Sequence, residues 1–194
     1  MIRHLLTLGI LTLLVMAPQA QPQNSANLSD PQVVITTNQG TIRLRLFANQ
    51  APATVENFLR YVDAGFYSNT IFHRVISNFM IQGGGFTTDF TEKATAAPVV
   101  NESKNRLHNT RGTIAMARTS DPDSATSQFF INQRNNMRLD WAPGQPGYTV
   151  FGEVIQGLSV VDFIATAPTT QQNGMQNVPI DAVIILSIER VVTE

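Results

Sequence analysis

The sequence predicts a mainly β fold, either a barrel or a sandwich with helical caps. Short strand-like runs recur along the chain from Val33 onward. Only two segments have helical periodicity, and the links between elements are long and irregular. Many short strands with few helices are typical of these two β architectures. The chain has 194 residues and 43% hydrophobic content, which is enough for one domain with a substantial core.

The first predicted elements are a β-hairpin and a helix. In "VVITTNQGTIRLRLF", two strand-like runs flank residues 38–40, and the second run alternates apolar with polar side chains. This alternation predicts a strand with one buried face, and the glycine favours a tight turn. In the next segment, "APATVENFLRYVDAG", the apolar residues recur at helical spacing. Pro52 suits a first helical turn and Gly65 a helix end, so we expect a helix from about Pro52 to Ala64.

Further short strands, a second helix and a closing strand follow. The predicted strands are Phe72–Ile76, Met80–Gly83, Thr113–Ala117, Gln128–Asn132 and Val150–Ile155. The apolar spacing over Ser159–Ala165 predicts the second helix, and "AVIILSIERVV" predicts the last strand. The links Thr87–Leu107 and Asn132–Tyr148 have little regular pattern. Long links without regular structure in a small domain are often functional.

The N-terminus has the pattern of a secretory signal. Basic residues precede an apolar run from Leu5 to Ala17, and small and polar residues follow it. The run is shorter than the roughly 20 residues that span a bilayer, although an uncleaved anchor is the alternative. We therefore expect a signal peptide over residues 1–20, a flexible leader over 21–31 and a folded domain over 32–194. Cleavage would leave a periplasmic protein without a stable membrane anchor.

Composition and motif searches argue against several classes of function. The formal net charge of −1 gives no electrostatic reason to expect nucleic acid as a partner. The absence of cysteine excludes disulfides, thiolate metal sites and a cysteine nucleophile. His73 and His108 are far apart and lack ligand-like neighbours, and Gly83–Gly85 fits neither a P-loop nor a dinucleotide fingerprint. Asp121–Ser127 lacks the glycine and closing glutamate of an EF-hand, so we interpret it as a polar turn.

A group of polar and large apolar residues has no such simple assignment. It comprises Arg74, Phe79, Met80 and Gln82, followed by Met116–Thr119, Ser127–Phe130 and Leu139–Trp141. Alternate residues of a strand share a face, so Met80 and Gln82 should point the same way, as should Arg74 and either Phe72 or Ile76. Considered one by one, the apolar residues also fit an ordinary core, with Arg74 paired to a surface acid.

In their order and spacing, these motifs resemble the cyclophilin family of peptidyl-prolyl cis-trans isomerases. "FHRVISNFMIQGG", "SQFFI" and "VFGEVIQGLSVVDFI" resemble three signatures of the family, and the resemblance runs from about Val33 to Val192. "NTRGTIAMARTSDPDSATSQFFIN" is especially similar to the bacterial periplasmic branch. The resemblance implies a closed eight-stranded antiparallel β-barrel capped by two α-helices. It also implies an isomerase without cofactor or metal that acts on proline-containing polypeptides.

The resemblance also implies which residues form the site. The catalytic arginine of the family matches Arg74, and Gln82 matches a catalytic-site residue that contacts the substrate backbone. The matched substrate-binding residues are Phe79, Met80, Phe130 and Leu139 in the proline pocket, Ala117, Arg118 and Gln128 along the peptide groove, and Tyr148 at the pocket rim.

The sequence departs from common family patterns at four positions, two of them in the predicted site and two next to it. Arg138 stands where many members have a tryptophan that contributes to cyclosporin binding, so we expect cyclosporin to bind weakly. Tyr148 replaces a histidine, Arg118 an asparagine and Gly85 an aspartate. The changes at Arg118 and Tyr148 motivate an alternative, a proline-peptide-binding chaperone module with weak turnover. We expect a monomer in either case.

A third interpretation is a barrel that binds a small apolar ligand. It has less support, because Arg74 and Gln82 would be costly in a dry cavity without polar partners.

Overall fold

The computed structural model describes residues 30–192, which form eleven β-strands, two α-helices and two short 3-10 helices. The predicted signal peptide, residues 1–20, and nearly all of the predicted leader lie outside the described residues. Within residues 30–192, no helix is long and apolar enough to cross a membrane.

The elements follow the predicted order closely. The strands are β1 (Gln32–Thr37), β2 (Gly40–Leu46), β3 (Thr70–Ile71), β4 (Arg74–Ile76), β5 (Met80–Gly83), β6 (Thr113–Met116), β7 (Phe129–Asn132), β8 (Val150–Gln156), β9 (Thr169–Gln172), β10 (Met175–Pro179) and β11 (Ile184–Arg190). The α-helices are α1 (Pro52–Asp63) and α2 (Leu158–Ala165), and the 3-10 helices are Ser103–Asn105 and Met137–Leu139.

Nine strands form one strongly curled antiparallel sheet in the order β3-β11-β1-β2-β8-β6-β7-β5-β4. The two end strands, β3 and β4, are separated in the chain only by Phe72 and His73. The sheet therefore returns to the segment where it began, although no ladder joins β3 to β4 in the described part of the chain. The mainly β class, the curled antiparallel sheet and the two helices are confirmed. The predicted count of eight is reached only when β3 and β4 are taken as one bent strand, and closure of the barrel is partial.

The predicted strand Phe72–Ile76 is interrupted in the structure. Only Arg74–Ile76 is strand, and the N–H of Phe72 donates to the carbonyl of Val183 instead. The expectation that Arg74 shares a face with Phe72 is wrong, because Phe72 is fully buried in the main core while Arg74 lines a surface cleft. Alternation of side chains does not continue through the break, whereas Ile76, on the same strand as Arg74, does pack beside the cleft.

Helix α1 begins and ends within one residue of the prediction, but its N-terminus also has a capping residue that the sequence did not predict. Pro52 occupies the first turn, and Gly65 follows the helix with a φ of 63° that suits glycine. At the N-terminus, the carboxylate of Glu102 accepts the backbone N–H groups of Ala53 and Thr54 at 3.1 and 2.8 Å. Glu102 therefore caps the helix and ties the link before β6 to it.

The main core fills the inner face of the curled sheet. Its ring cluster centres on Phe58 of α1, whose ring lies 5.3 Å from Tyr67, 5.8 Å from Phe129 and 5.2 Å from Phe151 between centroids. Helix α1 packs against β11, and α2 packs against β2, β4 and β5. These contacts bury the apolar faces that the helical periodicity predicted.

The hairpin β9–β10 was not predicted. All four residues of β9 are exposed, so the strand has no buried face and no alternating pattern. The signal that was available is Asn173-Gly174, whose φ angles of 50° and 77° suit a two-residue turn of this kind.

Candidate functional site

Strands β5 to β8 contribute buried apolar side chains to both of their faces. Ile81, Phe129 and Phe151 point into the main core, whereas their neighbours form a second buried cluster on the outer face of the sheet. This cluster, called the outer cluster below, consists of Met80, Ala115, Phe130 and Val150. It explains why β6 and β7 are buried at every position instead of at alternate positions.

A cleft of about 570 Å³ opens above the outer cluster. Its lining consists of Arg74, Phe79, Met80, Gln82, Ala117, Arg118, Phe130, Leu139 and Tyr148. An adjoining cavity of about 480 Å³ shares Gln82, Ala117 and Arg118 with the cleft and is also lined by Gln128. The structure therefore brings together all ten site residues named in the sequence, nine in the cleft and Gln128 beside it.

Arg74 lies half-buried at the edge of the cleft, on the short strand β4. One of its terminal nitrogens, Nη1, donates to Oε1 of Gln82 at 3.3 Å and lies 4.0 Å from the sulfur of Met80. In the described residues it forms no salt bridge, contrary to the pairing with a surface acid that an ordinary core residue would need. Burial lowers the pKa of Arg74 from its usual value, yet a guanidinium remains charged at neutral pH.

Gln82 connects Arg74 to the adjoining cavity. It lies opposite Arg74 in the β4–β5 ladder, and its Nε2 donates to Oε1 of Gln128 at 3.1 Å. An amide oxygen has two lone pairs and an amide nitrogen has two hydrogens, so both groups of Gln82 keep capacity for a ligand. The chain of contacts from Arg74 through Gln82 to Gln128 fixes all three side chains.

The glycines after β5 leave room for this chain of contacts. Gly84 has a φ of 83°, which favours glycine and lets the chain turn against the ring of Phe129. A Cβ at Gly85 would lie 2.5 Å from Cγ of Gln128. A side chain at Gly85 would therefore displace Gln128 from its present position.

Arg118 forms part of the cleft wall together with Tyr148. Its guanidinium stacks over the ring of Tyr148 at 4.5 Å and donates to the carbonyls of Gly147, Thr119 and Pro146. Tyr148 in turn packs edge-on against Phe130, with ring centroids 5.6 Å apart. Arg118 therefore shapes the cleft by holding Tyr148 without filling the opening.

Sequence reasoning missed a buried network that supports the other wall. Asn136 Nδ2 donates to the carbonyl of Phe79 at 2.9 Å and to Oδ1 of Asn132 at 2.8 Å. Asn132 reaches Asn109, which donates to the carboxylate of Asp140 directly after Leu139. The available signal was an asparagine at the end of an otherwise apolar strand, because a buried amide requires partners.

His73, next to Arg74, is buried and uncharged. Burial, with a smaller contribution from the positive charge of Arg74, lowers the pKa of His73 to about 4. Its ring packs against Phe86, with centroids 4.8 Å apart, and no partner is found for Nδ1. His73 therefore contributes no charge to the cleft at neutral pH.

The cleft can hold a small apolar ring beside a permanent hydrogen-bond donor. Phe79, Leu139 and Tyr148 provide half-buried walls, and Arg74 supplies the donor. Among residues 30–192 there is no group of three or more histidine, aspartate or glutamate side chains that could hold a metal ion.

Comparisons with known proteins point to one family. A family model for cyclophilin type peptidyl-prolyl cis-trans isomerases matches residues 32–190. A peptidyl-prolyl cis-trans isomerase of Acinetobacter baylyi is 56% identical over 84% of the chain and 86% of its own length. Isomerase A of Dickeya dadantii is 51% identical over 84% and 85%, and isomerase B of Escherichia coli is 51% identical over 80% and 97%.

Solved structures agree with these sequence relatives. The crystal structure of a Cryptosporidium parvum cyclophilin type peptidyl-prolyl cis-trans isomerase matches with a TM-score of 0.74 and 30% identity, covering 85% of the chain and 99% of that protein. A second structure of that protein, obtained in the presence of the dipeptide Ala-Pro, matches with a TM-score of 0.72 and 32% identity, covering 84% and 99%.

Proposed function

The chain belongs to the cyclophilin family of peptidyl-prolyl cis-trans isomerases, and on that premise we propose that its cleft rotates X-Pro bonds with Arg74 as the catalytic donor. The observation that carries this proposal is the position of Arg74, whose guanidinium borders an apolar pocket without a carboxylate partner in the described residues. The relative solved in the presence of Ala-Pro supports a proline-containing polypeptide as the substrate.

To catalyse rotation, the site must bind the twisted amide of the transition state more tightly than either planar form. Rotation about a peptide bond is opposed by about 18–20 kcal/mol because the nitrogen lone pair is delocalised into the carbonyl. Twisting localises this lone pair on the prolyl nitrogen, which becomes a better hydrogen-bond acceptor. Arg74 donates to this nitrogen or to the neighbouring carbonyl, and its guanidinium does so without titrating.

The apolar walls hold the proline ring while the preceding carbonyl rotates. Phe79, Met80, Phe130 and Leu139 lie around the pocket where the ring would bind. Excluding water from this pocket strengthens the interaction of the guanidinium with the developing lone pair. The ring therefore stays fixed while the acyl side of the bond turns.

Gln82 acts on the substrate backbone and on Arg74 together. Its amide oxygen accepts from Arg74, and its amide nitrogen bonds Gln128, which leaves one hydrogen for a substrate carbonyl. A hydrogen bond from Gln82 to the substrate backbone fixes the axis about which the X-Pro bond rotates. The remaining groove residues, Ala117, Arg118 and Tyr148, then guide the extended peptide past Gln128.

An isomerisation assay on a short X-Pro peptide tests the proposal. Replacing Arg74 by alanine should lower kcat/KM on the order of 100-fold, the usual effect of losing one preorganised donor. Arg74→Lys keeps the charge but loses the planar fork, so its kcat/KM should lie between those of the wild type and Arg74→Ala. Equal kcat/KM for the wild type and Arg74→Ala would contradict the proposed mechanism.

The same assay separates turnover from simple binding. A chaperone module with weak turnover would bind the peptide and leave the isomerisation rate near its uncatalysed value. In the structure, Arg118 and Tyr148, which motivated this alternative, form a wall of the cleft and leave it open. An open cleft suits peptide binding as well as turnover, so the measured rate decides between the two.

We further propose that the isomerase acts on extracytoplasmic proteins and assists their folding. The support is the basic start, short apolar run and polar leader of residues 1–31, which suit export and cleavage near residue 20. The mature protein would then consist of the leader over residues 21–31 and the domain from residue 32, in the periplasm. Slow X-Pro isomerisation can limit the folding of proteins, and its catalysis would be the role of the enzyme there.

A monomer with weak affinity for cyclosporin completes the proposal. One chain supplies all nine residues that line the cleft, which supports a monomer as the active form. Arg138, at the position of the tryptophan noted above, places an exposed guanidinium against the ring of Phe79. A flexible charged side chain there offers an apolar inhibitor less contact than an indole ring.

A further inference from the structure

Two exposed arginines lie just beyond the proline pocket. Arg134 and Arg138 border a surface cavity of about 560 Å³ that the isomerase mechanism does not use. The cavity is lined by Asn78, Arg134, Asn135, Asn136, Met137 and Arg138. Its lining contains two positive charges, three amides and no acid.

Neither arginine is neutralised by the described part of the chain. The salt bridges in residues 30–192 are Arg45–Glu153, His108–Asp140, Arg111–Asp162 and Arg190–Asp63, so Arg134 and Arg138 take part in none. Asp140 is the acid nearest to them in sequence, and its two oxygens are occupied by His108 and Asn109. The cavity therefore presents uncompensated positive charge to solvent.

The cavity and the cleft share a wall, which is Phe79. The guanidinium carbon of Arg138 lies 5.1 Å from the centre of the Phe79 ring. The carbonyl of Phe79 accepts the backbone N–H of Gln133 at 3.0 Å and Nδ2 of Asn136 at 2.9 Å. The segment that carries both arginines is thus fixed directly against the residue that forms the proline pocket.

The opposite end of the site has a different charge pattern. There the adjoining cavity is lined by Glu92 as well as Arg118, so the two charges offset each other. Moreover, the Arg118 guanidinium already donates to three carbonyls. Beyond the cleft itself, with its own Arg74, an extended peptide would meet two arginines without a lining acid on the Phe79 side and an arginine with Glu92 on the other.

From this arrangement we propose that Arg134 and Arg138 form an anion subsite that selects substrates with an acidic side chain near the proline. The proposal rests on the proposed function, since it concerns peptides whose proline contacts Phe79. An extended chain advances about 3.3 Å per residue, so a carboxylate one or two residues from the proline comes within reach of a long arginine side chain. Attraction across an exposed ion pair is modest and is screened by salt.

Two series of a proline-containing hexapeptide test the subsite. Each keeps alanine directly before proline, and places glutamate, glutamine or lysine either further toward the N-terminus or on the C-terminal side. In one of the series, kcat/KM and affinity should fall in the order glutamate, glutamine, lysine. The ratio between glutamate and glutamine should be about two- to fivefold, as for one exposed ion pair, and should shrink in 1 M NaCl.

Variants assign this ratio to the arginines. Arg134→Gln with Arg138→Gln should bring the glutamate-to-glutamine ratio to about one, and each single variant should lower it partly. The control is Arg60→Gln, which removes an exposed positive charge from α1, a helix that contributes no residue to the cleft, to the adjoining cavity or to the arginine cavity. It should keep the wild-type ratio.

Two results would overturn the subsite. One is a wild-type ratio of one in both peptide series. The other is a preference for glutamate that survives in the double variant. Peptide affinities measured by NMR give the ratio even without turnover, so a failure of the subsite is distinguishable from a failure of the proposed isomerisation mechanism.

Discussion

Strands β5 to β8 bury apolar side chains on both of their faces, but the two faces have different roles. On the inner face, Ile81, Phe129 and Phe151 are fully buried and join the rings of α1 in the main core. On the outer face, Met80 and Phe130 are nearly as buried, at 2% and 4% exposure, but neither of the α-helices in residues 30–192 covers them. The covering is supplied by half-buried side chains from the links, and it leaves a cleft.

The difference shows that apolar character alone does not separate a core from a binding site. The inner cluster is closed by regular elements, and its energetic role is to hold the fold together. The outer cluster is bordered by Arg74 and Gln82, polar groups that are half-buried and oriented toward the opening. Buried polar groups without a full set of partners are costly, so their presence at this edge indicates a ligand.

The largest expected effect comes from two adjacent phenylalanines of β7 that point to opposite faces. Phe129→Ala should lower the free energy of unfolding by about 3–5 kcal/mol, because it leaves a cavity among packed rings. Phe130→Ala should cost less stability, because its ring already borders the open cleft, but should lower kcat/KM on the order of tenfold. Urea unfolding and the isomerisation assay measure the two effects.

If Phe129→Ala does not fold, Phe129→Leu provides the same comparison on a smaller scale. The proposed difference between the faces would be contradicted if the substitutions at Phe129 and Phe130 lowered stability equally and also lowered specific activity equally.

The second-largest expected effect concerns His73, which lies between β3 and β4, directly before Arg74. Its pKa is about 4 in the fold and about 6.5 in the unfolded chain. Both states are neutral above pH 6.5, and only the unfolded state takes up a proton between pH 6.5 and 4. The free energy of unfolding should therefore fall as the pH is lowered through this window, by about 3 kcal/mol in total.

The variant His73→Phe should lack this component, whereas His108→Gln, which changes an exposed histidine, should keep it. Urea unfolding at several pH values between 4 and 7.5 measures the slope. A slope that is the same in the wild type and His73→Phe would mean that the pKa of His73 is not lowered in the fold.

The smallest expected effect tests the contact between Gln82 and Gln128 beside the cleft. Gly85→Ala would place a Cβ 2.5 Å from Cγ of Gln128 and displace that side chain from Gln82. We expect kcat/KM to fall about two- to fivefold, the effect of losing one neutral hydrogen bond. In a Gln128→Ala background the same change should have little further effect, because the two substitutions act on one contact. Additive losses in the double variant would contradict this contact.

Regular elements were predictable where the sequence repeats a simple period. The alternation in β2 and the helical spacing in α1 place buried residues on one face, and both elements occur within one or two residues of the prediction. The strand break at Phe72 and the exposed hairpin β9–β10 were not predicted. One depends on a backbone contact with Val183, which is distant in sequence, and the other lacks a buried face.

The ten site residues were named from the resemblance to a family, because their spacing alone also fits a core. The structure adds what spacing does not contain. Asn136 and Asn109 support the cleft through contacts between links, and Gly85 leaves room for Gln128, which lies in the link just before β7. Such contacts depend on how long links fold back onto the sheet, and a single sequence carries no local signal for that.

The most direct test of the central claim is to measure binding and turnover of one proline peptide by Arg74→Ala. Arg74 is expected to stabilise the twisted amide and not the planar forms of the bound peptide. NMR titration of Arg74→Ala should then give an affinity within about threefold of the wild type. The rate of isomerisation of the bound peptide should fall on the order of 100-fold. The opposite result, a large loss of affinity with the bound-state rate unchanged, would show that Arg74 only holds the substrate.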